Sequence, residues 1–231
     1  MIAKLSTAQI AALTTEQLVG LTTKQAAVLT STQVAVIASD DFAVLETADI
    51  AVLSTAVIAK LSTDQISAMT TDQLTALTTL AMTKLSTSQM AALTTDQLIG
   101  LSTQQASALS KTQVAAIAAA DLATMETADI AALSTSVVVN LTTAQIAALT
   151  TEQLVGLTTT QAAVLTTKQM AAIASDDFAV LETADIAALS TAVIAKLSTN
   201  QLSAMTTDQL NALTDTQAGA LSTAQWQALL S

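Results

Sequence analysis

Cysteine, histidine, arginine, tyrosine and proline are all missing from this sequence, and glycine occurs only four times. Each absence removes a class of chemistry. Without Cys there are no disulfides, thiolate metal sites or thiol redox steps. Without His there is no imidazole metal cluster, and so few glycines leave no phosphate-cradling loop. Asp, Glu, Lys, Ser and Thr remain for catalysis, and a carboxylate pair can hydrolyse a glycoside. Such enzymes need a shaped cleft with sugar-stacking rings, and Phe42, Phe178 and Trp226 are the only aromatic residues. No enzymatic activity and no cofactor are expected. Positive charge is equally scarce, with seven Lys against 18 acids and a net charge of −11. That balance argues against nucleic acid and against anionic membrane surfaces as partners. Ser, Thr and Gln interrupt every apolar run well short of the roughly 18 residues a spanning helix needs, so no membrane insertion is expected. Met1 runs straight into the repetitive sequence without a signal-peptide pattern. This fits an excised piece of a longer protein, or export by a route that leaves no N-terminal trace.

What is present is a repeat of eight. Leu5, Leu13, Leu21, Leu29, Ile37, Leu45, Leu53 and Leu61 open a column that runs to Leu229 without insertion or deletion. In one continuous α-helix, at about 100° per residue, the apolar stripe would rotate by roughly 80° each octad and never settle on a face. In a strand, Leu5 and Ile10 would point to opposite faces, and the chain has few residues that make tight turns. Thr and Val favour strands, so a β-solenoid is the alternative.

A third structure uses every position. With Ser6 as N-cap, Gln9 falls at N3 and completes an S/T-x-x-Q capping box, while Leu5 at N′ and Ile10 at N4 form a hydrophobic staple. Leu13, Thr14, Gln17 and Leu18 repeat the four roles, as do Leu149, Thr150, Gln153 and Leu154. Glu16, Asp64, Asp72, Asp96, Glu152 and Asp208 all fall at N2, where the helix dipole favours an acid. Each octad then opens a helix that closes about five residues later. So short a helix is unstable alone and must be stabilised by its neighbours. The expected fold is all-α: a solenoid of very short capped helices, one per octad, with some 3₁₀ character.

A longer repeat overlies the octads. "AALTTEQLVGLTTKQAAVL" from Ala11 returns as "AALTTEQLVGLTTTQAAVL" from Ala147 and as "AALTTDQLIGLSTQQASAL" from Ala91. The chain reads as one continuous array over 1–231, with units 5–84, 85–140 and 141–220 of ten, seven and ten octads and a C-terminal cap at 221–231. The middle unit lacks the octads corresponding to "LSTDQISAMTTDQLTALTTLAMTK". Each unit also holds a pair of octads that break the rule: "IASDDFAVLETADIAV" (37–52), "IAAADLATMETADIAA" (117–132) and "IASDDFAVLETADIAA" (173–188). They carry 11 of the 18 acids, and the octad after each puts Val57, Val137 or Val193 in place of Gln.

These windows are the candidate cation sites, calcium being the metal their hard oxygens suit. The first offers Asp40, Asp41, Glu46 and Asp49; the second Asp121, Glu126 and Asp129; the third Asp176, Asp177, Glu182 and Asp185. Their spacing matches no EF-hand or nonapeptide calcium repeat, and helix-start capping is the competing reading. A second alternative is ice or lattice binding, which requires Thr7, Thr15 and Thr23 to lie in one flat row. At the last octad, "LSTAQWQALLS" puts Trp226 in the staple position with Leu230 beside Leu229. Trp226 is expected to fold over the open end as a lid, the alternative being that it anchors a second copy.

The motif L-S/T-T-x-Q-I/L/V-A-A/G resembles tandem segments of very large secreted or surface-associated bacterial proteins of adhesin-like type. The resemblance covers nearly the whole chain. It implies an extracellular or cell-surface location and a structural or adhesive role, with itself or neighbouring repeats as partner. No site residue carries over from it, and no ligand is named by it.

Overall fold

The computed structural model of the chain describes residues 2–229. Among the described residues there are 28 short α-helices and one 3₁₀ helix, Ile2–Lys4, and no strand. The all-α solenoid expectation holds, and the β-solenoid alternative is excluded. Helices run from four to seven residues, as at Thr23–Ala26 and Thr223–Leu229.

Caps form as the spacing requires. The Ser6 N–H donates to Gln9 Oε1 at 2.9 Å, and the Gln9 N–H donates back to Ser6 Oγ at 3.3 Å. Exits close with i→i+3 bonds, such as the Leu13 N–H to the Ile10 carbonyl at 3.1 Å, so the 3₁₀ character lies in the last turn. The corner that follows is two extended residues: Met69 at φ −57°, ψ 140°, then the N-cap Thr70 at φ −69°, ψ 160°. No described residue has positive φ. A Leu–Ser/Thr step therefore turns the chain without the Gly or Pro that tight turns ordinarily demand.

The chain comprises two compact units, Met1–Ile117 and Ala118–Ser231, whose boundary falls inside the sequence unit 85–140. In the first, Thr7–Ala11 packs on Ser31–Val34, which packs on Thr55–Ile58, then Thr79–Met82, then Thr103–Ser107. In the second, Ala119–Leu122 is followed in the same way by Thr143–Ala148, Thr167–Met170, Thr191–Ile194 and Asp215–Ala218. Within each unit a helix therefore stacks on the third helix before it, and three octads make one coil. The Leu column and the N4 column line the interior, and almost every member of both is buried. Exposed Thr7, Thr15 and Thr23 belong to successive helices and lie on successive sides of a coil, so they do not form the flat row that lattice binding requires.

Coils approach closely where the sequence reads T-E/D-Q-L-V/I-G. A Cβ on Gly100 would overlap the Thr71 methyl of the coil beneath, and one on Gly156 would overlap the Thr127 methyl. Both glycines have ordinary negative φ, so close approach alone requires them. Gly100→Ala is expected to destabilise by about 1–3 kcal/mol, the usual cost of overpacking. Thr71→Ser, which removes the methyl, should recover most of the loss in a urea titration. Equal stability of Gly100→Ala and the parent would contradict this packing.

Candidate functional site

From Gln33 onward, the glutamine of a capping box does more than cap its own helix. Its Oε1 accepts the N-cap N–H, which leaves both Nε2 hydrogens free to donate. In the first unit Gln97 Nε2 donates to the carbonyls of Ile66 at 2.8 Å and Met69 at 2.7 Å, 31 and 28 residues earlier. Gln65 reaches Val34 and Ile37 in the same way, and Gln113 reaches Met82 and Leu85. In the second unit Gln169 reaches Val138 and Leu141, and Gln201 reaches Met170 and Ile173. These amides are buried, and each ties a helix start to the carbonyls at a helix end one coil below. The result is a ladder of side-chain amides running through the stack.

Runs of three consecutive octads, one coil each, lack the glutamine. In the first unit one such run carries Asp41, Asp49 and Val57 at the Gln position, and Ala81 is a single further gap; in the second unit the runs are Asp121, Asp129 and Val137, then Asp177, Asp185 and Val193. Val cannot donate, and an ionised Asp is too short and has no proton. The coil makes different bonds instead. The Thr15 hydroxyl donates to Asp41 Oδ1 at 2.8 Å, and the Thr151 hydroxyl donates to Asp177 Oδ1 at 2.9 Å. Phe42 and Phe178 fill the interior of the same helices.

The acids of one window point in different directions. Asp40, Glu46, Glu126, Asp176 and Glu182 are exposed; Asp41, Asp121 and Asp177 are half-buried; Asp49, Asp129 and Asp185 are buried. Glu46, Glu126 and Glu182 stand at N-cap positions but make no side-chain cap bond. Among the described residues, no three Asp, Glu, His or Cys side chains converge on a point that would suit a metal ion. The candidate calcium ligands, contiguous in sequence, are thus dispersed by the one-turn helices.

Asp49 and Asp185 are the unusual members. Burial pushes both carboxyls above the ordinary carboxylate range, and for Asp49 the neighbouring Glu46 charge adds to this while the Thr23 hydroxyl opposes it. For Asp185 the Thr159 hydroxyl, close by but outside good hydrogen-bond geometry, opposes the rise and Glu182 adds to it. Asp49 Oδ2 and both oxygens of Asp185, a residue only 2% exposed, have no hydrogen-bond partner. A raised native pKa means that the folded chain holds these protons more tightly than the unfolded one. Their favourable contribution is therefore complete below the unfolded value, 3.8, and is lost as pH rises through the higher native value. By the ladder's spacing, Gln at 49 would meet the Leu18 and Leu21 carbonyls, and Gln at 185 those of Leu154 and Leu157. Asp49→Gln and Asp185→Gln should each stabilise the chain at pH 7 by about 1–3 kcal/mol. They should also flatten its response to acid. Denaturant titrations at pH 7 and pH 4.5 read both effects, and a loss of stability in either variant would refute this account of the acidic coils.

The remaining expected sites lie at the array's last octad. Trp226 is on the helix Thr223–Leu229 and is 42% exposed, whereas the N4 residues of interior coils are covered by the coil above. Its ring is not folded into the core. Leu230 lies outside the described residues. No helix among the described residues is long and apolar enough to cross a membrane.

Sequence reasoning read glutamine as a capping residue and missed the ladder. The available signal was the identity of the amide: Glu serves a capping box equally well, yet never occupies this column. A comparison with curated proteins found no match. A family model, the ALTTAQ repeat, matches residues 2–39, 42–79, 122–159 and 178–215, together more than half of the chain. Those stretches contain the Leu-Ser/Thr-Thr and Gln positions from which caps and ladder are built, and the chain belongs to the ALTTAQ repeat family.

Proposed function

We propose that the chain is a non-enzymatic structural segment, a scaffold or spacer whose length is set by the number of coils. The observation that supports this most directly is the ladder. Outside the acidic coils, the polar groups the fold buries are used in joining one coil to the next, and the exposed faces are mostly Ser, Thr and Ala. Stability in such a stack is a sum over neighbouring units, so coils can be added or removed without redesign of the rest. The resemblance to tandem segments of large bacterial surface proteins supports a location outside the cell, where an acidic, hydroxyl-rich surface suits a spacer.

Deleting residues 61–84, one coil, tests the reading. The shortened chain should fold with unchanged helical signal per residue and lose about 17 kcal/mol of unfolding enthalpy, at roughly 0.7 kcal/mol per residue. A chain that no longer folds cooperatively would rule out a length-variable spacer. Antibody against the chain should label intact, unpermeabilised cells of the source, and labelling only after permeabilisation would rule out the surface location.

A further inference from the structure

We propose that the buried carboxylates of Asp49 and Asp185 each form part of a binding site for a monovalent metal cation, sodium or potassium, held between the carboxylate and the carbonyls of the coil beneath. This goes beyond the scaffold reading and does not depend on it.

The site is what remains when the ladder loses its donor. In an ordinary octad the amide of glutamine meets two carbonyls 31 and 28 residues earlier, as Gln169 meets Val138 at 2.8 Å and Leu141 at 3.0 Å. By the same spacing Asp185 stands over Leu154 and Leu157, and Asp49 over Leu18 and Leu21. The Leu157 and Leu21 carbonyls receive no hydrogen bond among the described residues. Those of Leu154 and Leu18 accept only from N–H groups at the ends of their own helices. Both oxygens of Asp185 and Oδ2 of Asp49 are buried without a partner, in residues 2% and 1% exposed. The coil beneath also brings a hydroxyl, because Thr183–Ala188 packs on Thr159–Ala162 and Thr47–Ala51 packs on Thr23–Ala26. Thr159 lies beside Asp185, and Thr23 beside Asp49. Each place thus gathers a carboxylate, two carbonyls and a hydroxyl, all hard oxygens.

A proton does not complete such a set. It gives one carboxyl oxygen a bond to one carbonyl and leaves the other oxygen and the other carbonyl unserved. A metal cation serves all of them at once, which is how a charge is ordinarily kept in an interior. The burial that pushes both carboxyls above the ordinary range is the mark of an anion lacking a counterion. Aspartate is one methylene shorter than glutamine, and an ion takes up the length that the amide would have filled. The valence follows from the charge count. One buried carboxylate supplies one negative charge, and the other donors are neutral. Calcium takes about six to eight oxygens, commonly from several carboxylates. Here the second acid acting on each site, Glu46 or Glu182, is exposed.

Thermal melts at pH 7 and equal ionic strength test this, with tetramethylammonium chloride, which is too large for the site, as the reference salt. Sodium or potassium chloride should raise the Tm of the parent by at least about 2 °C, because the ion binds only the folded chain. Asp49→Gln/Asp185→Gln, in which amides take over the carbonyls, should fold and lose at least about half of that shift. Asp129 then remains as the buried Asp of the third such octad. Asp40→Asn/Asp176→Asn removes the same charge from exposed positions and should keep the shift in full. Since the cation stabilises the parent alone, the gain from Asp→Gln should be largest in tetramethylammonium. Equal Tm in all three salts would overturn the proposal, as would a shift that the Asp→Gln variant keeps whole or the Asp→Asn variant loses. A rise given by calcium chloride and by neither monovalent ion would overturn it as well.

Discussion

Gln97→Glu should cost about 3–5 kcal/mol at neutral pH, the range found when a buried charge is left without a partner. The substitution changes one side-chain atom. The introduced carboxylate still accepts the Thr94 N–H, as Gln97 does at 2.9 Å, so the capping box survives. What it loses is the pair of bonds to Ile66 and Met69, where two carbonyl oxygens now face an anion in the interior. Burial and those oxygens both raise the carboxyl pKa. Protonation restores one donor, so the deficit should shrink as pH falls through that raised value toward about 4.3, the ordinary value for Glu. Urea titrations at pH 7.5 and 4.5 measure the change. Gln17→Glu is the control: exposed, in the first coil, with no acceptor for its Nε2 among the described residues, it should stay within about 0.5 kcal/mol of the parent. If the two variants cost the same, glutamine acts as a cap alone and there is no ladder.

That contrast marks the boundary of what could be read from residues. The octad's local chemistry was legible because capping is a contact over three residues: Ser6 with Gln9 and Thr14 with Gln17 appear together in any window. The packing columns were legible for the same reason. The number of octads per coil was not, because it depends on the angle between successive helices. That angle is set by two extended corner residues whose conformations leave no mark on composition. The lattice-binding alternative required Thr7, Thr15 and Thr23 to form a row in space, and with three octads per coil a row in sequence falls on successive sides instead. The period of three was nonetheless present at longer range. The middle sequence unit is shorter by three octads, one whole coil, which leaves every remaining helix on its original side of the stack. The two acidic octads and the Val octad that follows make up one coil as well. The ion-site reading failed to find a geometry because proximity along the chain does not survive a helix of one turn. Asp40 stays in solvent, Asp41 turns to Thr15, and Asp49 enters the core.

Phe178→Ala should be the costliest single truncation in the second unit, at about 3–5 kcal/mol. Phe178 ends the helix Ser175–Phe178 and is 0% exposed. Its helix starts at Ala174, which offers no side-chain cap, and Asp177 stands where Gln would bind the coil below. Apart from the Asp177–Thr151 bond, the ring is what holds this helix against its neighbours, including Thr199–Ser203. From above, Gln209 donates to the Phe178 carbonyl at 3.2 Å, so movement of the helix would also loosen the next coil's ladder. Phe178→Leu should cost only about 1 kcal/mol, as an apolar exchange with modest loss of volume. The chain supplies the precedent, because Leu122 fills the equivalent place in Ala119–Leu122 and is also 0% exposed. Denaturant titration gives the totals, and amide exchange gives the place. Protection should fall first around residues 174–189, where the helix starts have no side-chain cap and no glutamine reaches the coil below to oppose local opening. A cost below about 1 kcal/mol for Phe178→Ala, or an equal cost for Leu and Ala, would mean that something other than the ring holds the acidic coil in the stack.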